Sequence, residues 1–200
     1  MVEISRFGYF WLDTWVLANV IQLATQDFCA RFLNLKNDPC GRQFDQMTMA
    51  ARSAPANIAE GNSRHATSKE TEMKLTDVAR ATLAELANNY LNWFLRHESI
   101  PWSVNSPEYQ AVSRITLDRP AYKDDVQHQS SIHILAQKHK FDVWLKSDDS
   151  LTVANAYESL AKAVRGRQND GNYKQTDHEK GKPGAVRGRQ NDDIKREQIK

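Results

Sequence analysis

The stretch RQFDQMTMAARSAPANIAEGNSR, residues 42–64, decides the fold of this chain. Apolar side chains recur in it with steps of three and four residues, at Phe44, Met47, Ala51, Ala54 and Ile58. This spacing places them along one side of an α-helix. Most of these residues are small, so a neighbouring helix can approach closely. The stretch therefore predicts a helix over residues 42–62 that packs along a narrow apolar seam.

Polar residues and a proline interrupt this seam. Pro55 lacks an amide hydrogen and frees a carbonyl near Ala51, so we expect the helix to bend there. Asn57 and Glu60 are expected to bond exposed backbone groups or a neighbouring helix. A lone Glu60, without a partner acid, a metal-ligand set or a nucleophile nearby, favours a structural polar network over a catalytic carboxylate. Gly61 and the residue after it are expected to end the helix, because both tolerate a left-handed conformation.

Amphipathic helices are predicted on both sides of this stretch, over about residues 9–35 and 68–97. The buried face of the first is formed by Leu12, Trp15, Ala18, Ile21, Ala24, Phe28 and Phe32. The buried face of the second is formed by Leu75, Ala79, Leu83, Leu86, Tyr90, Trp93 and Phe94. Thr67 and Glu70 fit a capping box for the start of the second helix.

Residues 99–149 are expected to form a connector, because three prolines and several turn residues interrupt it. One short helix is predicted within it from Pro107 to Leu117. A helical pattern then returns at Ile132, Leu135, Phe141, Trp144 and Leu145. A last helix is predicted over about residues 150–166, capped by one of residues 148–150. With no convincing β-like alternation, the predicted class is all-α, an antiparallel up-down four-helix bundle over residues 1–168 with an irregular connector.

The C-terminal segment differs in composition from the rest of the chain. The octapeptide AVRGRQND occurs at 163–170 and again at 185–192. Residues 161–200 hold 11 Lys and Arg against 6 Asp and Glu, a net charge of +5, which leaves 16 against 19, or −3, for residues 1–160. With many glycines and few large apolar residues, residues 169–200 are predicted to be a disordered basic tail.

Four arginines in this segment are candidates for nucleic-acid binding: Arg165, Arg167, Arg187 and Arg189. Arginines split by glycine are typical of flexible segments that follow a phosphate backbone. Asp170, Asp192 and Asp193 dilute the positive field, and only Tyr173 could stack on a base. A merely solvating tail therefore stands beside a nucleic-acid arm as an alternative.

The motif in residues 42–64 resembles the signature of the four-helix bundle family known from intervening sequences in bacterial 23S rRNA genes, S-x-P-x-N-I-A-E-G. The matching residues here are Ser53, Pro55, Asn57, Ile58, Ala59, Glu60 and Gly61. The run ATSKETEMKLTDVARATLAEL, from Ala66, is similar to a subgroup that carries a C-terminal suffix domain. Many members of that family have an arginine pair where this chain has Thr48 and Met49, so a charged contact through these positions is not implied.

The resemblance implies assembly. Related bundles form ring-shaped homopentamers, and those that serve as accessory proteins of diversity-generating retroelements bind a reverse transcriptase and nucleic acid through a basic surface. Five aromatic residues near the N-terminus exceed what one helix face can bury, which favours a subunit interface: Phe7, Tyr9, Phe10, Trp11 and Trp15. Two function classes follow: a homo-oligomeric interaction or scaffold protein with a protein partner, or a nucleic-acid-associated accessory factor.

Enzymatic, cofactor and membrane functions find no support in the sequence. There is no G-x-G-x-x-G, G-x-x-x-x-G-K or G-x-S-x-G motif, and His128, His133 and His139 are spaced to spread around a helix. We therefore expect no enzyme activity, no cofactor and no metal. No signal peptide or spanning segment is apparent, and Cys29 and Cys40 fit two buried thiols of a cytoplasmic protein better than one disulfide.

Overall fold

The predicted all-α class is confirmed for the part of the chain that the structure describes. In this computed structural model those parts are residues 4–64 and 68–162, with side chains described from residue 8 onward, and they contain helices and loops but no strand. A 3-10 helix, Ile4–Trp11, precedes the α-helices. These are α1 (Asp13–Phe32), α2 (Arg42–Arg64), α3 (Lys69–Arg96), α4 (Pro107–Ser113), α5 (Val126–His139), α6 (Asp142–Leu145) and α7 (residues 150–162).

The first predicted helix is divided in two. Leu12 has an extended backbone conformation and separates the 3-10 helix from α1, which ends at Phe32 rather than near residue 35. The side chain of Asn37 donates to the Phe32 carbonyl at 2.8 Å, and its Oδ1 accepts from the amide of Asn34. These bonds satisfy backbone groups that a continuing helix would have used, so the turn begins early. The predicted core residues of α1 from Trp15 to Phe28 are buried.

The second helix is longer than predicted. Gly41, with φ +65°, turns the chain into α2, and the Asp38 carboxylate accepts from the amides of Gln43 and Phe44 at 3.2 and 2.9 Å. The predicted end at Gly61 is wrong, since α2 continues through it to Arg64. A Cβ on Gly61 would lie 3.2 Å from Leu75 Cβ, so this glycine serves close helix packing. Four of the five predicted seam residues are buried, and Phe44 is exposed.

The third helix matches its prediction closely. Ser68 is its N-cap and accepts from the amide of Thr71 at 3.2 Å, whereas Thr67 of the predicted capping box lies outside the described residues. Six of the seven predicted residues are buried, and Leu75 is half-buried. Helices α2 and α3 are antiparallel, because Gly61 lies against Leu75 at one end and Gln43 bonds Arg96 at the other.

The last helix joins the same core through aromatic rings. Phe28 of α1, Tyr90 of α3 and Tyr157 of α7 have ring centroids 5.0 to 6.0 Å apart. Tyr90 Oη donates to Thr25 Oγ1 at 3.1 Å, so its buried hydroxyl is satisfied. As predicted, one of residues 148–150 caps α7: Asp149 accepts from the amides of Leu151 and Thr152. The predicted part of this helix beyond residue 162 lies outside the described residues.

The segment 99–149 contains the predicted short helix as α4, which ends at Ser113 rather than at Leu117, and it is more regular than the expected connector because it also contains α5 and α6. The predicted helical pattern is only partly correct: Phe141 and Leu145 are buried, but Ile132 and Leu135 are more than half exposed, and α5 buries Ser130, Ile134 and Gln137 instead. Gln137 Oε1 accepts from the Asp118 amide at 2.9 Å and Nε2 donates to its carboxylate at 3.1 Å. A buried amide with both ends bonded costs little, so a polar contact docks α5 where an apolar one was expected.

Candidate functional site

A groove of about 750 Å³ opens between the 3-10 helix, α1 and the start of α5. Its volume lies within the range of about 300–1,000 Å³ that is typical of small-molecule sites. We call it the aromatic groove. It is lined by Tyr9, Phe10, Trp11, Trp15, Asn19, Asp125, Val126, Gln127, Ser130, Ser131 and Ile134.

One wall of the aromatic groove is a cluster of rings. The centroids of Tyr9 and Phe10 are 4.5 Å apart in a stacked arrangement, and each lies 5.1 Å from the centroid of Trp15. Burial raises the pKa of the Tyr9 hydroxyl, so it stays protonated at neutral pH. A wall of this kind offers apolar area and electron-rich ring faces, which attract flat or cationic groups.

The other wall is formed by the N-terminal half of α5, where Asp125, Gln127, Ser130 and Ser131 supply polar groups beside Val126 and Ile134. Asp125 is the N-cap and has a left-handed conformation, with φ +39°, while its Oδ1 accepts from the His128 amide at 3.2 Å. The hydroxyls of Ser130 and Ser131 each donate to the Gln127 carbonyl at 2.9 Å. Among the described residues that line the groove, Asp125 is the one with a charged side chain. The groove therefore joins an aromatic wall to a carboxylate.

A second ring contact lies next to the groove. The rings of Trp11 and Tyr122 are 5.3 Å apart, and those of Tyr122 and His133 are 5.9 Å apart. Tyr122 Oη and His133 Nε2 are buried without a hydrogen-bond partner in the part of the chain that is described. Desolvation lowers the pKa of His133, although the charges of Asp118 and Asp13 oppose it. Unprotonated His133 thus suits this contact better than its charged form.

The proline motif of α2 forms a structural contact rather than an open site. Pro55 and Ile58 are buried in the helix interface. Ser53 Oγ donates to the Met49 carbonyl at 2.9 Å, and Asn57 Nδ2 donates to the Ser53 carbonyl at 2.8 Å. As expected, Asn57 bonds the backbone of its own helix, but at the carbonyl of Ser53 and not at that of Ala51.

The acid of the motif lies at the surface. The Glu60 side chain is 54% exposed, and its Oε1 is 3.7 Å from Nη2 of Arg64 one turn later. An exposed pair at this distance contributes little to stability. Gly61, the next residue, faces α3 instead. Gly61 therefore lies in the contact with α3, whereas the Glu60 side chain points to solvent.

A smaller, polar cleft of about 330 Å³ lies where the loop before α2 meets the end of α3. Arg42 and Arg96 line it, and Arg96 Nη1 donates to Gln43 Oε1. Cys40 also lines it and is exposed, so the expectation of two buried thiols is correct only for Cys29. Both thiols are free, and no disulfide joins them.

The remaining predicted sites are only partly covered. Arg165, Arg167, Arg187 and Arg189 lie outside the described residues. Within residues 4–64 and 68–162, no group of three or more His, Cys, Asp or Glu side chains could hold a metal ion. His128 and His139 are exposed, whereas His133 is half-buried in the ring contact described above. Among the described helices, none is long and apolar enough to span a bilayer.

Comparison with protein-family models, with curated proteins and with solved structures found no match. The site is therefore interpreted from its own geometry.

Sequence reasoning identified one wall of the aromatic groove and missed the other. The excess of N-terminal aromatic residues was the signal for Tyr9, Phe10 and Trp15, but it indicated a subunit interface and not a groove. Asp125 gave no signal, because it resembles any acidic residue before a helix. Only the packing of α5 against α1 brings the two walls together.

Proposed function

We propose that this protein is a non-enzymatic, homo-oligomeric helical-bundle module whose partner is another protein. In this proposal α1, α2, α3 and α7 form an antiparallel up-down four-helix bundle. Its support is the antiparallel contact of α2 with α3 and the aromatic contacts that join α7 to α1 and α3. The S-x-P-x-N-I-A-E-G resemblance supports the same arrangement, and the free thiols of Cys29 and Cys40 support a cytoplasmic location.

The observation that carries the proposal is a row of exposed apolar residues on α3. Met73 and Leu91 are 18 residues apart, which is five helical turns, and Leu95 follows one turn later. Their exposed fractions are 63%, 38% and 63%. Leu91 and Leu95 are neighbours in this row, and Met73 lies about 27 Å away along the helix, beyond the Asp77–Arg80 ion pair, since each residue adds about 1.5 Å. Single exposed leucines are common, but aligned ones favour a helix contact.

A second copy of this chain is the partner that this row suits best. Lys74 and Glu85 are exposed about 100–120° around α3 from Met73, so charges of both signs flank the apolar row, while Asp77 lies in the row itself between Met73 and Leu91. In a symmetric contact, the same surface meets itself or its neighbour, and residues of opposite charge can pair across it. The family resemblance implies a homopentamer, and we adopt that assembly in the proposal.

Light scattering of the full chain tests the assembly. We expect an oligomer for the natural sequence, and we expect Leu91→Glu with Leu95→Glu to shift the mass towards that of the monomer. Each substitution places a carboxylate where an apolar contact was, and burying an unpaired charge is costly. The matched control is Ile100→Glu, because Ile100 is 85% exposed and lies beyond the end of α3.

A monomer in the natural sequence would contradict the proposal. An oligomer whose mass is unchanged both in the Leu91→Glu, Leu95→Glu variant and in the Ile100→Glu control would also contradict it. Far-ultraviolet circular dichroism on the same samples verifies that the variants keep their helices.

A nucleic-acid-associated accessory factor is the second candidate. It is favoured by the net charge of +5 on residues 161–200 and by the two arginines of the polar cleft. Phosphate-driven binding must weaken steeply as salt rises, because bound cations are released from the nucleic acid. We expect single-stranded RNA binding, if this candidate holds, to fall at least tenfold in full-chain Arg→Gln variants at 165, 167, 187 and 189. A flat salt response would exclude it.

A further inference from the structure

We infer that the aromatic groove is a docking site for the second Arg-Gly-Arg segment of this chain, residues 187–189. This inference is independent of the proposed assembly, because it concerns one protomer. Three lines of observation support it: the chemistry of the groove, the chemistry of the segment and the place where α7 ends.

The groove has the chemistry that binds a guanidinium group. Its rings include Trp11 and Trp15, and its charged lining residue in the described part of the chain is Asp125. A guanidinium plane stacks on aromatic faces and is only weakly hydrated, while a nearby carboxylate adds charge attraction. Asp125 Oδ1 is occupied by the helix cap, but the carboxylate has a second oxygen and keeps its charge.

The segment has a matching form. Arg187 and Arg189 are separated by Gly188. In an extended chain, residues i and i+2 point to the same side, so both guanidinium groups can face one wall. Glycine between them adds no side chain, and the backbone can therefore approach the rings closely. Gln190 and Asn191 follow and can bond the polar groups in the N-terminal half of α5.

The described part of α7 ends at the same end of α1 as the groove. Leu160 lines a small cavity together with Leu17, and Leu17 is two residues from Trp15. Two residues apart on a helix are about 200° apart around its axis, so the chain must pass around α1 to reach Trp15. Around a helix about 10–12 Å wide, that path is roughly 16–19 Å.

This path selects the second copy of the repeat. Arg165 and Arg167 lie three and five residues beyond Lys162, so they reach about 10–18 Å only when fully extended. Arg187 lies 25 residues beyond Lys162. A random coil of 25 residues in general has a root-mean-square span of about 25–30 Å, so 25 residues are enough to cover the path without full extension. The tether also supplies an effective concentration in the millimolar range.

The test uses nuclear magnetic resonance of the indole N–H groups in the full chain. We expect Arg187→Gln with Arg189→Gln to shift the signals of Trp11 and Trp15, because the guanidinium groups leave their ring faces. Trp93 and Trp144 serve as internal references, since neither lines the groove. The matched control is Arg165→Gln with Arg167→Gln, which removes the same charge from the same local sequence and should leave both signals in place.

A synthetic peptide of residues 185–192 provides the second arm. Added to the Arg187→Gln, Arg189→Gln protein, it should return the Trp11 and Trp15 signals towards their natural positions in a saturable titration, with a Kd below the effective concentration that the tether supplies. Asp125→Asn keeps an oxygen that can cap α5 but removes the charge, and it should weaken the peptide about two- to tenfold.

Three results would overturn the inference. The first is indole signals that do not respond to the Arg187 and Arg189 substitutions. The second is an equal response to the control pair at 165 and 167. The third is a response that grows with protein concentration, since that would place the segment of a second copy in the groove.

Discussion

At the scale of single residues, Gly61 of the proline motif is explained by its close contact with the neighbouring helix α3. Gly61 allows α3 to approach so closely that a Cβ would lie 3.2 Å from Leu75 Cβ and 3.4 Å from the Glu72 carbonyl. Contacts of this length leave little room for the neighbours to adjust, since one of the two atoms belongs to the backbone. The role of this glycine is therefore packing, and not the helix end that its position in the sequence indicates.

Gly61→Val should lower the free energy of unfolding by about 1–3 kcal/mol, because the branched side chain overpacks the α2–α3 contact. The measurement is urea denaturation followed by circular dichroism. Ala56→Val is the matched control, since Ala56 is exposed on the same helix and its cost is only that of helix propensity, about 0.5 kcal/mol. An equal loss in the free energy of unfolding for the two variants would show that the close contact with α3 does not restrict the size of the side chain at position 61.

Asn57 and Glu60 should differ in their effect on stability. Asn57→Ala removes the half-buried bond from Nδ2 to the Ser53 carbonyl and should cost about 0.5–1.5 kcal/mol. Glu60→Gln removes only an exposed ion pair and should change stability by less than about 0.5 kcal/mol. Thermal unfolding of both variants measures the difference. A larger cost at Glu60 than at Asn57 would mean that the motif depends on its acid.

At the scale of elements, α5 packs through polar contacts that cannot be predicted from its sequence. Gln137 bonds the loop through Asp118, and Lys138 Nζ lies 2.8 Å from Asp27 of α1. His133 adds a buried ring nitrogen beside Tyr122. The exposed Ile132 and Leu135 therefore remain on the outer side of the helix.

Acidification should destabilise the protein below about pH 6.5 through His133. Its pKa is lowered in the folded state, chiefly by desolvation, while the unfolded chain titrates near 6.5. The unfolded state therefore binds a proton first as pH falls, and stability decreases from about pH 6.5 down to the folded pKa. Asp118 and Asp149 have lowered pKa values, so their loss of stability begins only near pH 4 and below.

The midpoint of thermal unfolding between pH 7.5 and 5 measures this effect. His133→Gln should flatten the dependence in that window. His128→Gln is the control, because His128 is exposed on the same helix, and it should leave the slope unchanged. A slope that survives His133→Gln would assign the effect to other groups.

At the scale of the whole molecule, the core joins helices that are far apart in sequence. Phe28, Tyr90 and Tyr157 meet in it, and burial raises the pKa of both tyrosines well above the usual value. Cys29 lies next to Phe28 in α1 and is fully buried. Its thiol can react only when the packing of α1 opens.

The two thiols should therefore react at very different rates. Burial, with the charge of Asp38, raises the pKa of Cys29 to about 12, so thiolate is scarce and inaccessible at pH 8. Cys40 is exposed. We expect a chromogenic disulfide reagent to label one thiol per chain rapidly, and the Cys40→Ser variant to react at least a hundredfold more slowly until denaturant unfolds it. Rapid labelling of folded Cys40→Ser would place Cys29 outside the core.

Much of the candidate site is beyond what the sequence can predict. The aromatic residues between Tyr9 and Trp15 indicate an unusual surface. The groove, however, is also lined by the start of α5, which lies more than a hundred residues later in the chain. The position of α5 depends on Gln137 and Lys138. Because both residues are polar, a search for apolar periodicity does not find them. Local periodicity cannot report such a pairing, because it records only neighbours along the chain.

The sequence by itself determined the all-α class, the buried faces of α1, α2 and α3, and the cap of α7 among residues 148–150, because each follows from spacings of three and four residues or from side chains beside a helix end. The tertiary structure alone decided that Gly61 continues α2, that α5 buries an amide, and that an aromatic wall faces Asp125. These depend on which surfaces meet in space, and contacts between distant segments leave no period in the sequence.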